Sequence, residues 1–167
     1  MSESASNGVT VWRITTSGPG WKTTDLDGKG AALTGGRWNH KDTPVVYAAS
    51  SIALACLETV VHFNADGLPI RRALVAVHIP RAVWDRAMTT QSRDLPPGWD
   101  MLPDSWAASE YGSQWLRSDA SAVHRLPSVI IPQEFNVLIN PRHQDARLIT
   151  AKEQGPFVFD GRLTHRR

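Results

Sequence analysis

Apolar and polar positions alternate along several short segments of this chain. Residues 9–16 read VTVWRITT, in which β-branched side chains alternate with other residues, and this pattern predicts a strand. Prolines fence several similar segments, as expected at strand ends, because proline cannot donate to a sheet ladder. Further strands are predicted at residues 44–48, 73–80, 122–125 and 128–131. Residues 147–151 and 156–159 are predicted to pair late in the sheet, around Gly155.

Two segments have the character of helices. Residues 50–63 read SSIALACLETVVHF and are apolar on nearly all sides, which indicates a buried helix. Ser50 or Ser51 can cap its start, because a serine hydroxyl accepts a backbone N–H at that position. A second, shorter helix is predicted at residues 109–118.

Loops and ends complete the predicted organisation. Residues 17–36 are rich in glycine and residues 91–105 contain three prolines, so both are predicted to be irregular. Residues 1–8 are predicted to be disordered, and residues 9–167 to form one domain. The sum of short strands and few helices predicts an α+β fold: a single domain with a mixed sheet core and short flanking helices.

Composition narrows the class of protein. The chain has 167 residues, of which 41% are hydrophobic and 20% charged, as expected for one globular domain. It has no apolar run long enough to cross a bilayer and no basic-then-apolar leader, so we expect a soluble cytoplasmic protein. The single Cys56 excludes an internal disulfide and a zinc site made of cysteines.

The charge pattern argues against a nucleic-acid binder. The formal net charge is only +2, and the basic residues are scattered along the chain. Nucleic-acid-binding domains usually concentrate lysine and arginine in one stripe, often with aromatic residues between them. A basic RNA- or DNA-binding module, or a nuclease, is therefore the weaker hypothesis.

One acidic residue stands out in the apolar helix. Glu58 is the only charged residue in residues 50–61, and an unpaired buried carboxylate is costly. Three explanations are open: an edge glutamate paired with His62 one helical turn away, a metal site shared with His62, or a catalytic carboxylate held in a cleft. No third ligand or HExxH pattern supports the metal, so no metal is predicted.

The sequence GGRWN at residues 35–39 favours the catalytic explanation. Glycines allow close approach of the backbone to a ligand, and Arg37 offers a planar set of donors suited to phosphate. Tyr47 ends the strand that leads into the Glu58 helix. A cation, an aromatic ring and a carboxylate around one cleft suit a dinucleotide whose nicotinamide leaves with its bonding electrons.

Longer stretches carry a family resemblance. GGRWN, then VVYAASSIALACLETVVH, then LPSVIIPQEFNVLINPRH, with WR at residues 12–13, resemble the RES domain of RES–Xre toxin–antitoxin systems. The resemblance implies a toxin that consumes NAD+ and has a fold similar to ADP-ribosyltransferases. It also implies an Xre-type helix-turn-helix antitoxin that covers the active site. Since that partner binds the DNA, no direct DNA contact is expected of the toxin.

The resemblance also assigns roles to particular residues. It implies that Glu58 holds a ribose hydroxyl, Arg37 the diphosphate, Tyr47 the nicotinamide ring and Ser128 the nicotinamide or its ribose. The implied catalytic set is Glu58, Arg37, Tyr47 and Ser128. The implied NAD+-binding set is Arg37, Tyr47, Ser128, Arg13 and Asn136.

Structural explanations stay open beside these roles. They are an Arg37 stacked on Trp38, a Tyr47 in the core, a Ser128 bonded to nearby backbone, an Arg13 in a salt bridge, and Asn136 and Asn140 as organisers of loops.

The reaction implied is cleavage of the nicotinamide–ribose bond of NAD+ by hydrolysis or phosphorolysis, which would deplete cellular NAD+. The alternative is ADP-ribosyl transfer to a host protein. Many arginine-specific transferases carry Glu-x-Glu, and Cys56 stands where the first glutamate would be, which favours hydrolysis or phosphorolysis. No GxGxxG follows a strand, so NAD+ is expected as substrate and no cofactor is predicted.

Overall fold

The fold is a single mixed sheet with helices on its faces. The structure is a computed structural model that describes residues 8–63 and 71–163. Seven strands form one sheet in the order β4-β5-β6-β2-β1-β3-β7, which confirms the predicted α+β class. Of the residues predicted to be disordered, 1–7 lie outside the described residues and Gly8 begins the first strand.

Strands and helices alternate irregularly along the chain. The strands are β1 (Gly8–Thr15), β2 (Val46–Ala49), β3 (Arg72–Pro80), β4 (Met88–Thr89), β5 (Val123–Pro127), β6 (Phe135–Ile139) and β7 (Thr150–Phe157). The helices are α1 (Lys29–Thr34), α2 (Ile52–Val60), α3 (Arg81–Trp84) and α4 (Trp106–Ser118). Only β4 and β5 pair in parallel; the other neighbours are antiparallel. In the part of the chain that is described, no helix is long and apolar enough to cross a membrane.

The two faces of the sheet bury different side chains. Residues directly opposite each other in a sheet point to the same face, and Trp12, Ala49 and Asn136 form one such row across β1, β2 and β6. That face packs against α2 and α4. The opposite face is lined mainly by valine and isoleucine, which form the larger apolar core. The sheet therefore separates the face that carries Asn136 from a face whose centre is the larger apolar core.

Helix α2 follows β2 after a two-residue link. Ser51 accepts a hydrogen bond from the Leu54 backbone N–H at 3.0 Å, which confirms the predicted serine cap. Leu54 and Ala55 are buried against the sheet. Because Glu58 lies three or four residues further on, it shares their side of the helix and is directed towards the sheet.

One segment predicted to be irregular contains a helix. Residues 17–36 include α1, whose preceding residue Gly28 is left-handed at φ 69°. Glycines at 28 and 30 lower the local helix propensity, so the sequence does not signal this helix. It is held by contacts from outside: Asn39 Nδ2 donates to the Ala31 carbonyl at 2.9 Å and the Asp42 backbone N–H to the Ala32 carbonyl at 2.8 Å.

Residues 128–131 form a turn, and the predicted strand there is wrong. The Ser128 hydroxyl accepts the backbone N–H groups of Ile130 and Ile131 at 3.0 and 3.1 Å. The Ser128 backbone N–H in turn donates to the Glu134 carbonyl at 3.0 Å. These local bonds replace sheet bonds, which is why an apolar, β-branched stretch leaves the sheet.

The predicted late pairing around Gly155 is also wrong. Residues 150–157 form the single strand β7 along the edge of β3, with a register shift opposite Leu74 and Val75. Gly155 has φ 119° and sits at this shift, so the glycine marks a bulge and not a hairpin. Helix α4 begins at Trp106, earlier than predicted, because Ser105 accepts the Ala108 N–H and caps it.

A buried histidine lies under α4. His124 on β5 is fully buried, and its Nε2 is 2.9 Å from the Thr90 hydroxyl. Its ring contacts Trp115 edge-on at 5.0 Å. Within the described residues its Nδ1 has no hydrogen-bond partner. Burial therefore lowers the pKa of His124 from 6.5 to about 4.

We expect this histidine to make the fold sensitive to acid. The unfolded chain takes up a proton near pH 6.5 and the folded chain only near pH 4, so stability is lost as pH falls through that window. Between pH 7 and pH 5 the loss attributable to His124 should be about 2 kcal/mol. Urea unfolding of the wild type and of His124→Phe, which keeps a ring against Trp115, measures it. Equal pH dependence in both proteins would contradict the assignment.

Candidate functional site

The centre of the candidate site is the carboxylate of Glu58. Its Oε1 accepts hydrogen bonds from the Ser128 hydroxyl at 2.9 Å and from Asn136 Nδ2 at 2.7 Å. We call Glu58, Ser128 and Asn136 the Glu58 cluster. Both bonds end on the same oxygen, which fixes the orientation of the carboxylate. Within residues 8–63 and 71–163, the second oxygen, Oε2, makes no hydrogen bond.

Different elements bring the members of this cluster together. Asn136 lies on β6 directly opposite Ala49 of β2, at the end of the sheet where α2 begins. Ser128 directly follows β5 and is fully buried. Because its oxygen already accepts two backbone N–H groups, its own proton is directed to Glu58. Ser128 thus makes both the local contact and the contact with Glu58.

Tyr47 joins the GGRWN sequence to this face of the sheet. Its hydroxyl donates to Asn39 Oδ1 at 2.7 Å and accepts the Trp38 backbone N–H at 3.0 Å. Asn39 is itself buried, and its amide donates to three backbone carbonyls. The phenol oxygen is therefore used in holding a turn, and the ring is the part of Tyr47 left to contact a ligand.

Both glycines of GGRWN are required by this arrangement. Gly36 and Asn39 bond to each other's backbone across a tight turn, with Arg37 and Trp38 at its tip. Gly35 has φ 70°, a left-handed conformation that glycine adopts without strain. A Cβ on Gly36 would lie 2.8 Å from the Tyr47 hydroxyl oxygen. The close approach that glycine permits here is to Tyr47.

The guanidinium of Arg37 contacts a neighbouring loop. Its Nη1 donates to the carbonyls of Trp99 and Met101 at 2.9 and 3.0 Å, and its Nη2 to that of Pro103 at 3.4 Å. We call residues 99–103 the strap. Trp99 also stacks on Trp38, with ring centroids 5.9 Å apart. Part of the proline-rich segment 91–105 is thereby held against the GGRWN turn.

Electrostatics place Arg37, Tyr47 and Glu58 in one neighbourhood. Burial raises the pKa of Tyr47 well above its ordinary value. The Trp38 N–H bond and the positive charge of Arg37 oppose that rise, while the negative charge of Glu58 adds to it. Both charges act on the same hydroxyl. Tyr47 also lies two residues before Ala49 on β2, and Ala49 lies opposite Asn136, so the Tyr47 side chain and the Glu58 cluster are on the same face of the sheet.

Two other candidates lie elsewhere. Arg13 alternates with Trp12 along β1, so its side chain leaves the opposite face of the sheet, where it donates to the Asp25 carbonyl at 3.0 Å. Burial lowers its pKa, and the carboxylates of Asp27 and Asp25 oppose the shift. Its contact with NAD+ stays a prediction that the geometry does not favour.

Asn140 lies at the other end of β6 from Asn136. Its Nδ2 donates to the Leu116 carbonyl at 3.1 Å and its Oδ1 accepts the Arg142 backbone N–H at 3.1 Å. It is buried and organises the chain after the strand. Of the two asparagines, only Asn136 contacts Glu58.

The competing explanations for Glu58 find no support in the described geometry. His62 is exposed, and no ion pair joins it to Glu58 among residues 8–63 and 71–163. In the same residues no three His, Cys, Asp or Glu side chains are grouped to hold a metal ion. A surface hollow of about 910 Å³ lies between residues 26–44 and 141–149, and Glu58 does not line it. The Glu58 cluster is thus defined by its hydrogen bonds.

Two residues of this region, Asn39 and Glu134, were not predicted from the sequence to have a role. Asn39 fixes the Tyr47 hydroxyl, and the Glu134 Oε2 accepts the Ser51 hydroxyl at 2.7 Å. Asn39 is the last residue of the GGRWN sequence, and its place there is the one local feature that points to it. Glu134 is 83 positions from Ser51, and no local pattern joins residues that far apart.

Comparison with known proteins identifies the family. The model of the RES domain matches residues 10–160. The chain is 46% identical to the Prs ADP-ribosylating toxin of Sphingobium sp. (strain YBL2) over 155 residues, which cover 93% of this chain and 96% of that protein. It is 36% identical to a Toxin Res of Yersinia enterocolitica over 137 residues, covering 81% and 88%.

A solved structure shares the fold. A chain in the crystal structure of the M. tuberculosis MbcT–MbcA toxin–antitoxin complex aligns with a TM-score of 0.65 at 15% identity, covering 89% of this chain and 85% of its own. At that identity the likeness establishes fold alone. The family match and the curated relatives carry more, and on them the chain belongs to the RES domain family of toxins.

Proposed function

We propose that this toxin breaks the nicotinamide–ribose bond of NAD+ at the Glu58 cluster. The observation that carries the proposal is the carboxylate of Glu58, held at Oε1 by Ser128 and Asn136 with Oε2 left for a ligand. A fixed negative charge suits a reaction whose transition state gains positive charge on the ribose.

Glu58 would act on the ribose that carries nicotinamide. Its Oε2 would accept a ribose hydroxyl, and its charge would stabilise the oxocarbenium-like centre as the bond to nicotinamide lengthens. The bonding electron pair leaves with nicotinamide, which becomes neutral, and an acceptor then attacks the anomeric carbon. Because the carboxylate is already oriented, little reorganisation is needed when charge develops.

Arg37 and Tyr47 would hold the two ends of the nicotinamide mononucleotide half. A guanidinium has five N–H groups, and the bonds of Arg37 to the strap use three of them. The remaining N–H groups suit the diphosphate. The Tyr47 ring, whose hydroxyl is engaged with the turn, would pack on the nicotinamide.

Two observations concern the acceptor of the ADP-ribosyl group: the position of Cys56 and the name of a relative. The sequence argument from Cys56 favoured water or phosphate, but Glu58 lies on a helix, where residues two apart point to different sides. Residue 56 could not flank Glu58 whichever side chain stood there, so Cys56 does not discriminate. The 46% identical relative is named for ADP-ribosylating Prs, which favours a protein acceptor as the second candidate.

We also propose an antitoxin partner of the Xre type that covers the Glu58 side. The aligned structure is of a toxin–antitoxin complex, which supports a partner of this general kind. An antitoxin seated over Glu58, Tyr47 and the strap would exclude NAD+ while leaving the fold unchanged.

Replacing Glu58 by glutamine should abolish most activity without unfolding the protein. The amide side chain would keep the shape but lose the charge, and kcat for NAD+ loss should fall about 10²- to 10³-fold. Nicotinamide release, followed by chromatography, measures it. Glu153→Gln on the edge strand is the matched control and should keep wild-type turnover. A folded Glu58→Gln protein with full activity would remove Glu58 from the mechanism.

Two variants of Tyr47 should distinguish the contribution of its ring from that of its hydroxyl. Tyr47→Phe leaves the Trp38 N–H and the Asn39 oxygen without their partner, so we expect about 1–3 kcal/mol less stability in urea unfolding. It keeps the ring, so NAD+ turnover should stay within about 3-fold, whereas Tyr47→Ala should raise KM about 10-fold. If a folded Tyr47→Phe were as impaired as Tyr47→Ala, the hydroxyl would have a chemical role.

Labelled NAD+ identifies the acceptor. With the label on the adenylate, we expect free ADP-ribose or its phosphate, at the same rate whether a bacterial lysate is present or absent. Parallel reactions with and without phosphate detect ADP-ribose phosphate. Label fixed on protein in the lysate, with little free product, would contradict hydrolysis or phosphorolysis and assign the protein acceptor.

A further inference from the structure

The start of α2 is tied to the same turn that holds Glu58. The Ser51 hydroxyl donates to Glu134 Oε2 at 2.7 Å while accepting the Leu54 N–H. The Ser50 backbone N–H also donates to the Phe135 carbonyl at 3.1 Å. Thus the two residues that precede the helix are bonded to Glu134 and to Phe135, the first residue of β6.

Contacts at the other end of α2 lead back to Glu134. Glu58 follows Ser51 by seven positions, which is about two helical turns, so the two residues lie on the same side of the helix, about 10 Å apart along its axis. Glu58 bonds to Ser128, and the Ser128 backbone N–H bonds to the Glu134 carbonyl. The segment from Ser128 to Glu134 therefore contacts α2 near both ends: Glu134 at Ser51 and Ser128 at Glu58.

These hydrogen bonds matter because apolar contacts alone do not fix the rotation and axial position of α2 on the sheet. The helix has nine residues, of which only Leu54 and Ala55 are fully buried. Hydrophobic burial is non-directional, so it does not fix the rotation or the axial position of a short helix. Directional hydrogen bonds at two levels do, and one of these bonds is made by the carboxylate of Glu58 itself.

We propose that Ser51 and Glu134 are positioning residues that set where α2 carries Glu58 against Ser128 and Asn136. This inference rests on the proposed role of Glu58. Glu134 acts through Ser51 and not on the substrate, so its hydrogen-bonding capacity matters and its charge does not. Losing either partner should misplace Glu58 slightly, which lowers kcat more than it changes KM.

The test compares deletions with conservative replacements. Ser51→Ala and Glu134→Ala should each lower kcat for NAD+ loss about 10-fold, with KM within about 2-fold. The double variant should be no worse than Ser51→Ala, since that variant already lacks the bond to Glu134 as well as the Leu54 cap. Ser51→Thr and Glu134→Gln, which keep a donor and an acceptor, should stay within about 3-fold of wild type.

A matched control separates positioning from general loss of stability. Ser121 accepts the Trp115 indole N–H at 3.0 Å and donates to the Val123 carbonyl, away from α2. Ser121→Ala should lose about as much stability in urea as Ser51→Ala, on the order of 1 kcal/mol, while keeping its kcat. An equal fall of kcat in Ser121→Ala, multiplicative losses in the double variant, or Glu134→Gln as impaired as Glu134→Ala would each overturn the proposal.

A second readout keeps this inference apart from the proposed reaction. Growth inhibition on induction reports toxin activity without assuming a substrate, and hydrogen exchange of the α2 amides reports the helix itself. If the wild type left NAD+ intact, the proposed function would fail. The same ranking of variants in growth inhibition, with faster α2 exchange in Glu134→Ala, would still support positioning, and unchanged exchange and toxicity would refute it.

Discussion

One carboxylate oxygen joins three distant parts of the chain on one side of the sheet. Glu58 Oε1 receives both the Ser128 hydroxyl and the Asn136 amide, and these donors come from a turn and a strand far along the chain. A half-buried carboxylate without hydrogen-bond partners would be costly. The two bonds offset that cost and also orient the group that we propose as the reacting carboxylate.

The GGRWN turn supports the same side of the sheet from a different direction. The Tyr47 hydroxyl is held by Trp38 and Asn39, and the Arg37 side chain holds the strap by its carbonyl oxygens. These groups are engaged with protein partners before any ligand is present. A ligand would therefore meet an ordered turn and ring, and would lose little free energy in ordering them.

Helix geometry changes how the family resemblance is read. A Glu-x-Glu pair works when both residues face one site, which an extended or irregular segment allows. Glu58 lies on α2, so Cys56 points to another side and its identity says nothing about the acceptor. The second carboxylate near α2 is Glu134, which reaches the helix from a different part of the chain.

The sequence alone determined the α+β class, the strand before Glu58, the serine cap of α2 and the residues that resemble the RES family. These depend on local periodicity, capping chemistry and contiguous motifs, which neighbours in the chain decide. Tertiary structure alone decided that residues 128–131 turn, that α1 forms despite its glycines, and that Arg37 bonds to a strap more than 60 positions away. It also paired Ser51 with Glu134 and moved Arg13 to the other face. Hydrogen bonds between distant residues leave no periodic trace in a sequence, and only the folded chain sets which of them form.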